Sequence, residues 1–508
     1  MPIQELVINP VGRINRRDVP GFMSQEEVRM RQNLYVIGNG ENKQNKKMPG
    51  SERLTSSVDS GSYTWLSRYY SGNIAKKFGF KNGRIYHVAE DGTETQKLGS
   101  LNTGARPVSE IMKVSENNVM YFVDGFNGMY SHDGNIGQEW DKENSVSLNF
   151  VYILSHLDRM FGFTEDSEDL YFSKNLDPVN FTDSTDAGLI TIGAKRGAKI
   201  QAIALLNETL YVIKEDSIFV LEGRQPSEFA VRQVHGVPGT PARFSVRNVE
   251  NGLIYMDQDY EFREFNGVTT KILSYNMAVG GDLTKDLVAL INKEKMENVV
   301  STFHNNLYRC AFTETGKVTN NLEYIFNTIN LTDGITRGNN VSCYMVQNKK
   351  PDDNELFTGR ADNGHIMRQY FGFNWDNDDS SSSMPVILDS RINSGINNAR
   401  FKRLYANVRV LGADLLSVKT AVDTRLAASD FKSSSFDPQG ETKNITNFIR
   451  VNNQENVTDR INLPWSSHKG QSLMIRWEQD LRNLDASLIS WVLEVIVKEK
   501  KRRINVGI

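Results

Sequence analysis

The stretch SEDLYFSKNLDPVNFTDS, Ser167 to Ser184, gathers carboxylates, hydroxyls, a lysine and an asparagine beside aromatics at a proline-marked turn. Such a mixture could serve acid–base or nucleophilic chemistry, so every other reactive pattern must be weighed with it. Ser131, Asp133 and Trp140 in SHDGNIGQEW approach the aspartate box of sialidase-like propellers. Asn135 stands where that box needs glycine, however, and Trp140 lies too far along. Two acidic loops, DQDYEFRE (Asp257, Asp259, Glu261) and DNDDSSSS (Asp376, Asp378, Asp379), lack the glycine and distal glutamate of an EF-hand. They read as solvated turns rather than calcium sites.

The seven histidines (His87, His132, His156, His235, His304, His365, His468) are scattered singly, without metal-binding spacing. No nucleophile elbow occurs, and GNGENK from Gly38 lacks the lysine–serine/threonine ending of a phosphate-binding loop. A carboxylate pair for glycoside hydrolysis could form only in space, and nothing in the sequence points to one. Cys310 and Cys343 sit in the apolar runs LYRCAF and VSCYMV and read as small buried hydrophobes in a reducing compartment. The expectation is therefore no catalytic residue, no metal and no cofactor.

One cationic cluster remains: Lys498, Lys500, Lys501, Arg502 and Arg503 near the C-terminus. It reads as a solvated strand end or as a docking patch for an acidic partner or phosphate backbone, which salt would weaken. The chain as a whole carries 59 basic and 62 acidic residues, a net charge of −3, which disfavours a protein that coats nucleic acid. No segment approaches the length of a membrane span, and the N-terminus has no apolar leader core, so the expectation is a protein made in a cytosol that stays soluble or leaves by a route other than secretion.

The elements that would position these residues are mostly short strands. Two helices are expected. One lies in SQEEVRMRQNLYV, where Ser24 and Glu27 fit a capping box. The other spans Gly281 to Val299, with Leu283, Leu287, Leu290 and Ile291 near one face. Elsewhere hairpins recur, with turns at Asn82-Gly83, Asp124-Gly125, Glu165-Asp166, Glu215-Asp216, Gln258-Asp259, Asn305-Asn306 and Asp362 to Gly364. Their first residues are 42, 41, 50, 43, 47 and 57 positions apart, a period near 47 that fits a four-stranded propeller blade.

Beyond most turns stands an aliphatic–aromatic couple: Ile85-Tyr86, Met129-Tyr130, Leu170-Tyr171, Ile218-Phe219, Leu307-Tyr308. Neighbouring residues of a strand face opposite sides, so both faces must be covered, as they are between blades. The fold class is all-β: a β-propeller of six or seven blades over residues 56–375, followed by a C-terminal β-sandwich over 385–508. An N-terminal arm with a short helix occupies 1–55. The alternative is a set of irregular hairpins in two sandwiches. The polar run from Asn374 to Pro385 marks the boundary. After it, LYANVRV alternates, and LLSVKTAVDT, NITNFIRV, SLMIRWEQD and SLISWVLEVIVKEKK read as strands. In this frame the opening stretch becomes a blade corner: Leu170 to Phe172 a return strand, Asp177-Pro178 a turn, and Phe181 tucked under the blade.

The layout resembles the packaged-DNA stabilisation proteins, also called tail hub or nozzle proteins, of short-tailed bacteriophages. The resemblance is carried by the opening MPIQ, by RQNLYVIGNG with KKMPGSERL, and by LYFSKNLDPVNF. It continues through HGVPGTPARFSVRNVENGLIYMDQDYEFREFNG and SGINNARFKRLYANVRV. It implies a homohexameric ring in the virion, assembled in the host cytoplasm and attached below the portal-adaptor ring. That ring would help retain packaged DNA, its lumen could touch the DNA, and it would join tail needle or fibres, with no membrane partner. The long NGENKQNKKMPG and the basic C-terminus depart from the pattern and leave the tail neighbours open. Competing readings are a carbohydrate-binding or carbohydrate-cleaving propeller (a tail depolymerase or surface glycosidase) and a cytosolic peptide-binding scaffold.

Overall fold

The computed structural model describes residues 3–11, 28–38, 43–55, 61–71, 74–193, 197–274, 287–350, 353–371, 375, 384–393, 399–411, 416–422, 432–436, 457–462, 469–470, 472–480 and 485–496. Strand follows strand along nearly all of it. Seven four-stranded antiparallel units succeed one another, beginning at Trp65, Val108, Phe150, Ile200, Arg247, Val300 and Val341. The first strands of successive units lie against each other around a ring. The protein is a seven-bladed β-propeller.

The blades form because both faces of their strands are apolar. Ile85, Met129, Leu170 and Ile218 are fully buried, and Tyr86, Tyr130 and Phe219 on the opposite faces nearly so. Burial of such a side chain is favourable by roughly 1.5–3 kcal/mol, and it is achieved only when the next blade covers the exposed face. Six of the seven sequence-assigned turns join the second and third strands of a blade. Asn305-Asn306 instead joins the first and second strands of blade six (Val300–His304 and Leu307–Thr313). The equivalent connection there is residues 314–319, and Leu307-Tyr308 accordingly lies on a second strand.

The ring is closed by a strand from the other end of the chain. Ser51–Arg53 pairs antiparallel with Ile366–Gln369 as the outer strand of blade seven. Beside it the Ile366 N–H donates to the buried Thr55 hydroxyl at 3.0 Å, and the Leu54 N–H to the Ile366 carbonyl at 2.8 Å. Thr55→Val strands that buried donor, so the urea midpoint should fall by an amount equivalent to about 1–3 kcal/mol. An unchanged midpoint would remove this clasp from the account of closure.

No helix runs through Val28 to Val36, and the described strands before residue 55 join sheets with later parts of the chain. Val28–Gln32 is a strand set by partners hundreds of residues away, Val28 opposite Ser390 and Gln32 beside Ile335, and Leu34–Ile37 is a strand paired with Gln44–Lys47. Ser24 and Glu27 lie outside the described residues. Of the second expected helix, residues 281–286 with Leu283 lie outside the described residues, and the rest is one turn, Leu287–Leu290, and a 3-10 stretch, Lys293–Asn298. Between them Ile291 bridges to Glu314, and the Asn292 side chain donates to the Lys317 carbonyl at 3.0 Å. Ties to blade six therefore break the helix.

C-terminal strands make two sheets, and both recruit N-terminal strands. In one, Asp485–Ile496 pairs with Ala399–Leu411, Ile3–Ile8 and Gln44–Lys47. In the other, Val28–Gln32, Pro385–Asn393, Ser472–Asp480, Leu416–Val422 and Lys432–Phe436 extend the blade-six sheet to nine strands. Leu404 and Leu488 of the first sheet share a core with Leu388 and Trp477 of the second, and with Phe262 and Tyr324 of the propeller. NITNFIRV lies outside the described residues.

Candidate functional site: the channel of the ring

Seven blades leave an axial channel lined by their first strands and by the connections at one end. That end opens as a funnel of about 650 Å³ lined by blades two, three, four, six and seven and by linkers between blades, with Arg106, Asp124, Glu165, Arg243 and Glu297 as its charged lining. Below it a smaller cavity of about 220 Å³ shares Thr64, Arg106 and Phe244 with the funnel, and adds Glu110, Tyr152 and Arg247.

The ring is stitched around this channel from blade to blade. The Thr64 hydroxyl donates to the Ala105 carbonyl at 2.9 Å, Ser109 to the Ser67 hydroxyl at 2.8 Å, and Ser155 to the Glu110 carboxyl at 2.7 Å. Arg243 donates to the Gln201 carbonyl at 3.2 Å and grips Glu165 through two bonds of 3.1 and 3.0 Å. Ser301 donates to the Phe244 carbonyl at 2.7 Å. Burial raises the Glu110 carboxyl above its ordinary value, against the opposing Ser155 hydrogen bond.

Two guanidinium groups differ from the paired Arg243. Arg106 makes two long contacts, 3.4 Å to the Ser342 carbonyl and 3.4 Å to the Asn298 side chain. Arg247 donates to the carbonyls of Ser301 and Val246 at 2.9 and 3.0 Å. Tyr152 forms the wall beside them, stacked on Phe163 at 5.9 Å and on Phe244 at 6.4 Å.

The residues singled out in the sequence lie elsewhere. Lys498, Lys500, Lys501, Arg502 and Arg503 fall outside the described residues, as do Asp376, Asp378 and Asp379. The opening stretch is a corner of blade three. Leu170 to Phe172 belong to its third strand, Phe181 packs 4.8 Å from Phe150, and the Lys174 ammonium pairs with Asp183 at 3.0 Å. Asp177-Pro178 opens a turn closed by the Asn180 N–H on the Asp177 carbonyl at 3.2 Å, and the next turns are made by Asn180 and Asp183, whose side chains accept from the backbone N–H groups of Thr182, Asp183, Thr185 and Asp186. Bonds from the Thr185 backbone and from Lys174 hold the Asp183 carboxyl below its ordinary value.

DQDYEFRE is not a solvated loop at Asp257. That carboxylate is fully buried, accepts from the N–H groups of Asp259 and Glu261 at 2.8 and 2.9 Å, and pairs with Arg263. His132 and Trp140 of the aspartate-box lookalike pack with Phe78 in the core between blades one and two. Burial pushes both cysteine thiols up to about 12, so neither supplies a thiolate at neutral pH. Among the described residues, no group of three His, Cys, Asp or Glu side chains could hold a metal ion, and no helix is long and apolar enough to cross a membrane.

No protein-family model and no curated protein matches the chain. Solved structures similar to it include the computationally designed protein Ika8, at 10% identity and TM-score 0.37, covering 63% of this chain and 100% of that one. PorZ, a surface component of the type-IX secretion system of Porphyromonas gingivalis, matches at 12% identity and TM-score 0.38. The match covers 77% of this chain and 46% of PorZ, so the chain spans about half of that protein's length. BamB from Moraxella catarrhalis matches at 11% identity and TM-score 0.36, over 73% of this chain and 98% of BamB.

Proposed function

We propose that this chain is a structural virion protein: a ring-forming tail hub of a short-tailed bacteriophage, seated below the portal-adaptor ring and helping to retain packaged DNA. The observation that carries the reading is the path of the chain. N-terminal strands enter the C-terminal sheets, the next strand closes the propeller, and the nine-stranded sheet then runs from blade six into the sandwich. Stretching any one segment must break sheet hydrogen bonds elsewhere, which suits a connector under load.

The resemblance to tail hubs gives further support. Its longest motif, HGVPGTPARFSVRNVENGLIYMDQDYEFREFNG, supplies the entry to blade five and most of that blade. Blade seven's closing strand comes from KKMPGSERL in the same resemblance.

Electron microscopy of the purified protein, alone and mixed with a portal-adaptor protein, tests the proposal. Six-fold rings are the expected result. A compact monomer in both samples, together with capsule-degrading turnover lost on a single Asp or Glu substitution, would replace the hub with a depolymerase.

A further inference from the structure

We infer that the inner cavity of the propeller channel is a carboxylate-binding site, with Arg106 and Arg247 as its anchors and the Tyr152–Phe244 wall receiving the body of the ligand.

The first support is charge. Arg106 and Arg247 both line the 220 Å³ cavity, and neither forms an ion pair with another described residue. Their hydrogen bonds run to three carbonyls, one amide oxygen and the Tyr152 hydroxyl, which leaves further guanidinium N–H groups for a ligand. Both side chains are half-buried, Glu297 acts on Arg106 without forming an ion pair with it, and a planar oxyanion fits the guanidinium fork. The cavity's own carboxyl, Glu110, does not fill that role: it accepts from Ser155, and burial favours its neutral form.

The second support is shape. The cavity lies below a funnel three times its volume, so a ligand has an approach from one end of the ring. Tyr152 and Phe244 stack at an interplanar angle of 26° and offer a flat apolar wall. Ser67, Ser109 and Ser301 add polar residues to the lining, Ser301 directly beside Arg247.

The funnel selects among anions. Asp124, Glu165 and Glu297 stand around it, and Arg243 is already committed to Glu165. That acidic collar repels a nucleic-acid backbone or a phosphate dianion more than a single carboxylate on a neutral body. The ligand class is therefore a monocarboxylate with a flat apolar group. Two sources carry that chemistry: a small molecule, and the free C-terminus of a peptide ending in an aromatic residue.

This inference is independent of the tail-hub reading, since it concerns the propeller channel and not the assembly. Calorimetric titration of the full chain with benzoate, benzamide, acetyl-Gly-Gly-Phe, its C-terminal amide and inorganic phosphate tests it. Saturable binding of benzoate or of the free-acid peptide is expected, with the two amides at least about tenfold weaker. A stronger peptide signal than benzoate assigns the source as a chain end, and the reverse assigns a small molecule. Arg106→Gln and Arg247→Gln should each weaken binding about tenfold or more, whereas Lys113→Gln, away from the cavity, should not. Thermal midpoints of the ligand-free variants separate lost binding from lost folding, and Arg106→Lys, which keeps the charge, should recover part of the affinity. No saturable binding at millimolar ligand, amides binding as well as acids, phosphate binding as tightly as benzoate, or folded arginine variants that bind normally would each overturn the assignment.

Discussion

Glu323→Ala should lower the stability of the propeller by about 3–5 kcal/mol, the cost of leaving one partner of a buried ion pair alone. Glu323 and Arg309 are 2% and 1% exposed and joined by two hydrogen bonds of 3.1 and 3.0 Å. The carboxylate also accepts from Thr336 at 2.6 Å, from the Asn339 amide at 2.9 Å, and from the Tyr344 hydroxyl. It thus ties three strands of blade six to the first strand of blade seven. Removing it takes the acceptor from a guanidinium and three further donors at once. Arg309→Met with Glu323→Leu removes both charges together and should regain most of the loss. Denaturant midpoints of the single and double variants decide the matter, and a Glu323→Ala midpoint at the wild-type value would exclude this cluster as a clamp.

The same pair gives a pH dependence of definite sign. Burial alone would raise the Glu323 carboxyl, but the Arg309 charge and the hydrogen bonds prevail and hold it below its ordinary 4.5. The unfolded chain therefore binds this proton at a higher pH than the folded one does. The contribution is fully present above pH 4.5 and fades as the pH falls through the lower folded value. Acid titration of the double variant should lack that part of the loss.

The blades were legible because their signals are local. Asn82 and Gly83 both have positive φ, 52° and 70°, the conformation a two-residue hairpin needs and the one these residue types tolerate best. The same logic misindexed blade six. Asn305 and Asn306 also turn with positive φ, 50° and 61°, but between the first and second strands. Equivalent first turns in other blades use Leu157-Asp158 and Asn207-Glu208, with φ near those values. Leucine and glutamate do not advertise such a turn, so only the asparagine pair stood out.

Ring closure was hidden for the opposite reason. Ser51, Glu52 and Arg53 carry no apolar alternation, and their partners lie over three hundred residues away. Val28–Gln32 was misread because helical spacing was judged without its remote partners, and Leu34–Ile37 because it was judged without its hairpin to Gln44–Lys47. The channel was illegible for a related reason: Arg106 and Arg247 are single arginines in TGARPV and SVRNV, brought together only by the ring. Their one sequence signal is position, each at or just before the first strand of a blade, where side chains reach the axis.

Gly239→Ala is expected to be the most disruptive substitution of one methyl group in the molecule's blade linkers. Gly239 lies between blades four and five, pinched between their turns. The Thr240 N–H donates to the Lys214 carbonyl at 2.9 Å, and the Gln258 N–H donates to the Gly239 carbonyl at 3.1 Å. A Cβ there would sit 2.0 Å from the Lys214 carbonyl oxygen and 2.6 Å from the Ser217 nitrogen, both main-chain atoms. A flexible side chain could swing aside, but these atoms belong to sheet-bonded backbone. The blades must part instead, and the loss should reach about 3 kcal/mol or more, the upper range for overpacking. Gly236→Ala, three residues earlier, separates the steric cause from a conformational one. Gly236 has φ +73 and nothing within 4 Å of an added Cβ, so alanine there meets only the left-handed backbone penalty of about 1–2 kcal/mol. Thermal midpoints of the two variants should therefore rank Gly239→Ala well below Gly236→Ala. Equal midpoints would mean that the neighbouring turns yield freely, and that close approach of backbones is not what demands glycine between these blades.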